Sequence, residues 1–193
     1  MRKVKLFLHT SLDGFVAGTN GEMEWINVDG GIFDFTGKLT DNADTYLMGR
    51  ATFQMMEGYW PKACEQPNAS RHDIEHSKWY NQVAKVVISN SMQGNNLPNT
   101  KIISGNLKEE ITKLKQLDGK DIIIFGSPTA AHSLRKLDLI DEYGLFVNPI
   151  LLGKGIPMFS DITQTLNLKL SGSKTFSSGV ISLQYERQTM GKN

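Results

Sequence analysis

Val4, Leu6 and Leu8 alternate with Lys5 and Phe7 before Ser11-Leu12-Asp13-Gly14 interrupts the run, which predicts a first strand that ends in a turn. Phe15-Val16-Ala17 continues briefly, and a Gly/Asn loop from Gly18 to Gly21 leads through Trp25 to a short helix from about Gly30 to Leu39. Thr45-Tyr46-Leu47-Met48 predicts a strand that stops at Gly49, and Ala51 to Glu57 a helix. A polar loop with Pro61 and Pro67 runs from Trp60 to Ser70, followed by a helix from His72 to Val83. Strand patterns return at Lys85 to Ser89, at Lys101-Ile102-Ile103 and most clearly at Asp121 to Phe125. Between the last two, Leu107, Ile111, Leu114 and Leu117 recur at helical spacing. Ala130 to Lys136 reads as a helix and Tyr143 to Val147 as a strand. Asn167 to Phe176 and Val180 to Arg187 read as two strands joined by Ser177-Ser178-Gly179 in a hairpin.

Strands alternating with helices through Leu139 predict a largely parallel sheet, and the terminal hairpin adds antiparallel edge strands. No repeat or low-complexity tract divides the 193 residues, so one domain spanning 1–193 is expected. Twenty-one Lys and Arg against 20 Asp and Glu give no electrostatic reason to expect nucleic acid. One cysteine, Cys64, excludes an intrachain disulfide, and four scattered histidines predict no metal site. With no signal-peptide core and no apolar stretch of spanning length, a cytoplasmic protein without membrane partners is expected.

In parallel sheets ligands bind beyond the carboxyl ends of the strands, and three such junctions share one chemistry. Gly49-Arg50-Ala51-Thr52 joins a strand end to a helix start, where free N–H groups and a guanidinium suit an anion. Ser89-Asn90-Ser91 supplies short polar side chains, and Gly126-Ser127-Pro128-Thr129 opens another helix through a small-residue turn. Each is also an ordinary tight connection or solvated turn, and neither Gly-x-Gly-x-x-Gly nor Gly-x-x-x-x-Gly-Lys-Ser/Thr is present.

The ordered set of Ser11 to Ala17, Met48 to Phe53, Val87 to Ser91, Ile124-Phe125-Gly126, Asp141-Glu142 and Asn148 to Phe159 resembles the dihydrofolate reductase superfamily. Its closest flavour is the branch containing the reductase domain of bifunctional riboflavin-biosynthesis enzymes. The resemblance implies a dihydrofolate reductase-like three-layer α/β/α fold with a mixed, mostly parallel central sheet and a C-terminal antiparallel hairpin. It also implies NADPH as cofactor and hydride transfer to a small pterin-like or pyrimidine-like heterocycle. Gly49, Arg50 and Thr52 would hold cofactor phosphates, Ser89, Asn90 and Ser91 would line the adenosine side, and Gly126 and Ser127, with Thr129 in the same turn, would meet its centre. Relatives carry successive glycines at that last site, often with a cis peptide, where this chain has Gly-Ser-Pro.

On the substrate side, Trp25, Asp29 and Phe33 resemble the spacing of the folate-type anchor, with Asp29 as the catalytic acid and Trp25 and Phe33 beside the substrate. Asp34 and Glu24 compete for that role, and Asp29 before Gly30-Gly31 is equally a helix cap. Phe35, Met55, Met56 and Trp60 are pocket walls or core, Asp13 is a turn residue, and His76 and His132 are expected on helix surfaces. With no His-x-Glu or Pro-Cys-x-x-Cys deaminase motif, a stand-alone reductase is expected. The resemblance and the exposed edge of the hairpin suggest a homodimer. A nucleotide-binding protein of the same fold without efficient catalysis, or a fold serving as an oligomerisation scaffold, is the alternative.

Overall fold

The computed structural model describes residues 1–92, 97–160 and 162–188. Runs such as Val86-Val87-Ile88 and Ile122 to Phe125 are apolar on both faces, which only a sheet covered on both sides can bury. Among the described residues, ten strands and five α-helices follow in the order β1 (Val4–Thr10), β2 (Phe15–Ala17), α1 (Gly30–Asp41), β3 (Ala43–Gly49), α2 (Arg50–Glu57), α3 (Arg71–Gln82), β4 (Ala84–Ile88), β5 (Thr100–Ile103). The chain continues through α4 (Leu107–Gln116), β6 (Asp121–Phe125), α5 (Pro128–Lys136), β7 (Glu142–Val147), β8 (Ile156–Pro157), β9 (Leu168–Thr175) and β10 (Ile181–Arg187).

Eight strands form one sheet in the order β5-β4-β3-β6-β1-β7-β10-β9. Six are parallel, and the terminal hairpin adds β10 antiparallel to β7 and β9 antiparallel to β10. Strand alternation sorts the core into two layers. Val4, Leu6, Leu8, Leu47, Ile122 and Ile124 pack on Ile111 of α4 and Ala131 and Leu134 of α5. Phe7, Tyr46, Met48, Ile123 and Phe146 pack on Ile32 of α1, Phe53 of α2 and Tyr80 of α3. The result is the expected three-layer α/β/α arrangement, and no helix among the described residues is long and apolar enough to cross a membrane.

Three expectations need correction. The loop from Trp60 to Ser70 opens with a 3-10 helix, Trp60–Glu65, that buries Ala63 completely. His76 is half-buried where an exposed helix surface was expected: its ring lies 4.2 Å from Trp60 and 5.0 Å from Trp79. His132 reaches the Met158 carbonyl at 2.6 Å. A short antiparallel ribbon, β2 with β8, is also present without having been predicted.

Phe7 lies opposite Gly144 in the parallel register, and a Cβ on Gly144 would fall 2.1 Å from the Phe7 ring. Gly144→Ala is therefore expected to destabilise the fold by about 1–3 kcal/mol, the usual cost of overpacking a close-packed core. An unchanged urea midpoint would contradict that packing.

Burial pushes the His76 imidazole down to about 3, from an ordinary value of 6.5. The unfolded chain takes up this proton near pH 6.5 and the folded chain refuses it. Stability from this group is therefore full above pH 6.5 and declines as the pH falls toward 3, by about 1.4 kcal/mol per pH unit. Urea titrations between pH 6 and 4 should show a shallower acid loss in His76→Phe than in the wild type; equal slopes would contradict the burial.

Candidate functional site

The parallel strands place the ends of β3, β4, β6 and β1 on one edge of the sheet, and there the chain changes direction. From β3 the chain leaves through α2 over one face, whereas from β6 it leaves through α5 over the other. The two departures meet: the Gly49 amide donates to Ser127 Oγ at 2.8 Å. A Cβ on Gly49 would lie 3.4 Å from that oxygen and 3.7 Å from Ala130 Cβ, ordinary contact distances, so the strand end and the helix start lie side by side here.

Both helices that start here lack a side-chain cap. Gly49 at the start of α2 has no side chain to offer, and Ser127 at the start of α5 directs its hydroxyl to Gly49 instead of its own helix. By contrast, α1 is capped by Asp29 and α3 by a Ser70–Asp73 capping box. Two adjacent helix N-termini thus keep unpaired N–H groups and aligned dipoles toward the same crevice, a setting that favours a polyanion. Arg50 stands exposed at this rim and donates to Ser91 Oγ at 2.7 Å. The carboxylates that could have claimed it are engaged elsewhere, Asp44 with Arg2 and Glu57 with Lys85. Ser89 is buried, and its hydroxyl accepts the Met92 amide at 3.0 Å, shaping the turn that presents exposed Asn90 and Ser91. Thr52 is half-buried on the first turn of α2, and Thr129 is exposed on that of α5.

Gly126 and Ser127 adopt successive left-handed conformations, φ +64° and +54°, with no cis peptide bond among the described residues. Ser127 is buried and holds a conformation that costs a non-glycine residue roughly 1–2 kcal/mol. The hydrogen bond to Gly49 and Pro128, pre-set for the first helical position, help hold it there.

On the other side of the crevice the predicted residues are less closely joined. Asp29 Oδ1 accepts the Ile32 amide at 2.9 Å, while Oδ2 accepts Ser177 Oγ at 2.6 Å and the Ser178 amide at 2.8 Å. The carboxylate therefore caps α1 and clamps it to the β9–β10 turn. The Ser177 hydroxyl, followed by the Ser178 and Ile32 amides, holds its carboxyl far below the usual carboxylate range, which suits an anionic anchor and not a proton donor. Phe33 stacks on His72 of α3 at 4.0 Å and helps line a groove of about 600 Å³ between α1 and α3. Trp25 donates its indole N–H to Glu22 O within its own loop. Asp34 and Glu24 are both exposed.

Two residues of this edge make contacts that the sequence did not reveal. Asn148 is buried, accepts the Asn27 amide through Oδ1, and directs Nδ2 to Thr10 O, Phe146 O and His9 Nδ1. It fastens the ends of β1 and β7 to the segment leading into α1. The Asn148-Pro149 pair was visible within a longer motif, yet only the tertiary structure shows what its amide joins. Asp13, expected as a turn residue, accepts the amides of Leu152 and Gly153 at 3.1 and 2.7 Å, tying the turn after β1 to the segment after Asn148.

Comparison with known proteins places this geometry among relatives. Residues 2–182 match the family model described as the RibD C-terminal domain. The chain is 38% identical over 189 residues to the uncharacterized protein YyaP of Bacillus subtilis (strain 168), covering 95% of this chain and 94% of that one. A crystal structure of a putative riboflavin biosynthesis protein from Shewanella sp. PV-4 is similar at a TM-score of 0.72 and 25% identity, with 97% and 99% of the two chains covered. A pyrimidine reductase-like protein from Corynebacterium diphtheriae shares the fold at a TM-score of 0.66 and 18% identity, over 97% and 92% of the chains. The dihydrofolate reductase-like fold and the reductase branch expected from the motifs are thus the ones found, and the chain belongs to the RibD C-terminal domain family.

Proposed function

We propose that this protein is an NADPH-dependent reductase acting on a small, flat pyrimidine-like or pterin-like heterocycle. The observation that carries the reading is the pair of uncapped helix N-termini brought together by Gly49 and Ser127, with Arg50 at their rim. A diphosphate bridging two such helix starts would find N–H donors and favourable dipoles from both. In this reading Gly49, Arg50 and Thr52 hold phosphates, and Ser89, Asn90 and Ser91 border the adenosine. Gly126, Ser127 and Thr129 let the backbone approach the middle of the cofactor. When bound, NADPH supplies the hydride. The chain's own contribution is to fix the two reactants beyond the ends of β6 and β1 and to exclude water between them. Asp29, held as an anion at the head of α1, anchors a donor group of the substrate in this reading, with Trp25 and Phe33 flanking.

Membership of the RibD C-terminal domain family supports a pyrimidine reductase type of oxidoreductase. The test is oxidation of NADPH at 340 nm with dihydrofolate or with a 5-amino-6-ribosylaminouracil. Substrate-dependent oxidation is expected with one of them, and nucleotide binding without turnover on either would favour a non-catalytic nucleotide-binding protein.

Arg50 separates the two nicotinamide cofactors. A charge-assisted bond to the 2′-phosphate contributes roughly 1.5–3 kcal/mol, so Arg50→Ala should weaken NADPH about ten- to a hundredfold and leave NADH nearly unchanged. Arg50→Lys should fall between, keeping the charge without the planar fork. Titration by cofactor fluorescence checks this, and equal losses for the two cofactors would remove Arg50 from that role.

We also propose a homodimer. β9 ends the sheet, leaving a strand edge without a partner among the described residues, and exposes Leu168 and Leu170 on one face. Light scattering at micromolar concentration should give twice the chain mass, and replacing both leucines with Lys should give the monomer; a wild-type monomer would contradict it.

A further inference from the structure

β1 is the strand beside β6, one step across the sheet from the Gly49–Ser127 junction. It runs parallel to β6 only as far as Phe7, opposite Phe125, and the Gly126 amide then closes onto the Phe7 carbonyl at 2.9 Å. Beyond that point β6 turns away into α5, while β1 continues to His9 and Thr10 beside β7. His9 therefore sits where the sheet opens next to the Gly126–Ser127 turn. Alternation puts its side chain on the face of Phe7 and of helices α1 to α3, opposite the face of α5. Two strand spacings, about 10 Å, separate it from β3. If the phosphates sit between β3 and β6, the reacting rings lie toward β1.

The imidazole is held in one orientation. Its ring stacks on Phe146 at 4.8 Å with an interplanar angle of 23°. Asn148 fixes the tautomer. Its Oδ1 is taken by the Asn27 amide, so Nδ2 is the end that meets His9 Nδ1 at 3.2 Å; its two protons are shared among Nδ1, Thr10 O and Phe146 O, and because an amide nitrogen does not accept, the unprotonated Nδ1 is the form that fits. The ring proton is thereby assigned to Nε2, for which no acceptor is found among the described residues. Burial also keeps the ring neutral at ordinary pH, pushing it down to about 4.

We propose that His9 is a specificity-determining residue whose neutral Nε2–H donates to a carbonyl oxygen or unprotonated ring nitrogen of the bound heterocycle. The inference rests on the reductase reading above and assigns the ring-recognition end of that same site. The preferred ligands are flat aminopyrimidinones that present an acceptor edge to the floor of the crevice. The rigid stack and the Asn148 clamp matter because a donor already oriented loses little freedom on binding.

The test uses the full chain, labelled with 15N-histidine and saturated with NADPH, with 5-aminouracil as the probe. The Nε2 resonance of His9 is expected to move on addition of 5-aminouracil while Nδ1 keeps its acceptor shift. His9→Phe, which retains a ring over Phe146 and loses the donor, should weaken 5-aminouracil roughly three- to tenfold and leave NADPH affinity within twofold. An unmoved Nε2 on binding, equal probe affinity in His9→Phe, or no probe binding to the NADPH-loaded protein would each overturn the proposal. Failure of NADPH itself to bind is a separate result, seen in cofactor fluorescence before the probe is added. It counts against the reductase reading, and the His9 signal with 5-aminouracil alone then decides the recognition role independently. Should His9→Phe fold poorly, the wild-type 15N measurement still decides.

Discussion

The hydrogen bond from the Gly49 amide to Ser127 Oγ joins two segments 78 residues apart and draws two helix starts to one point. Ser127 can make it only by giving up the cap of its own helix and by taking a left-handed conformation, a local cost that the fold sustains at this edge. Gly49 donates it from extended backbone, with Ser127 Oγ and Ala130 Cβ at ordinary contact distance from where a side chain would begin. What the arrangement leaves is an unpaired set of N–H groups from α2 and α5, facing one crevice between strands whose connections diverge. The nucleotide reading, the placement of Arg50 and the assignment of the ring end to His9 all follow from that convergence.

The opposite wall is built on other terms. There the polar groups are already paired: Asp29 with the β9–β10 turn, Asn148 with three neighbouring segments, Asp13 with the amides after Leu151. These bonds make a stiff frame, so the few groups left without partners can be read as the ones that meet a ligand. That contrast between satisfied and unsatisfied donors distinguishes a binding surface from a merely polar one. Asp29 stands between the two cases: three donors hold its carboxylate ionised and leave one acceptor position, which fits an anchoring role better than a proton-donating one.

Much of the fold was legible in the sequence because burial on both faces of a parallel sheet writes long apolar runs, as at Ile122 to Phe125, and because loop residues punctuate them. The strand-to-helix junctions were legible for the same reason: a glycine directly after an apolar strand marks where the strand ends and the chain turns, at Gly126 with a positive φ. What stayed hidden was set by tertiary context. His76 has the polarity of a surface residue and is half-buried because Trp60 and Trp79 lie against it. Trp60 to Glu65 packs on α3 through Trp60, and β8 is a strand only because β2 lies beside it. Asn148 and His9 meet across 139 residues, and no local pattern encodes that pairing.

The most direct measurement of the central claim is amide hydrogen exchange of the wild-type chain with and without NADPH. Convergence of α2 and α5 on the dinucleotide predicts added protection in the peptides covering residues 49–53, 89–92 and 126–131, with the helix α4 and the β9–β10 strands unchanged. Saturating NADPH without protection at the starts of both α2 and α5 would contradict the account.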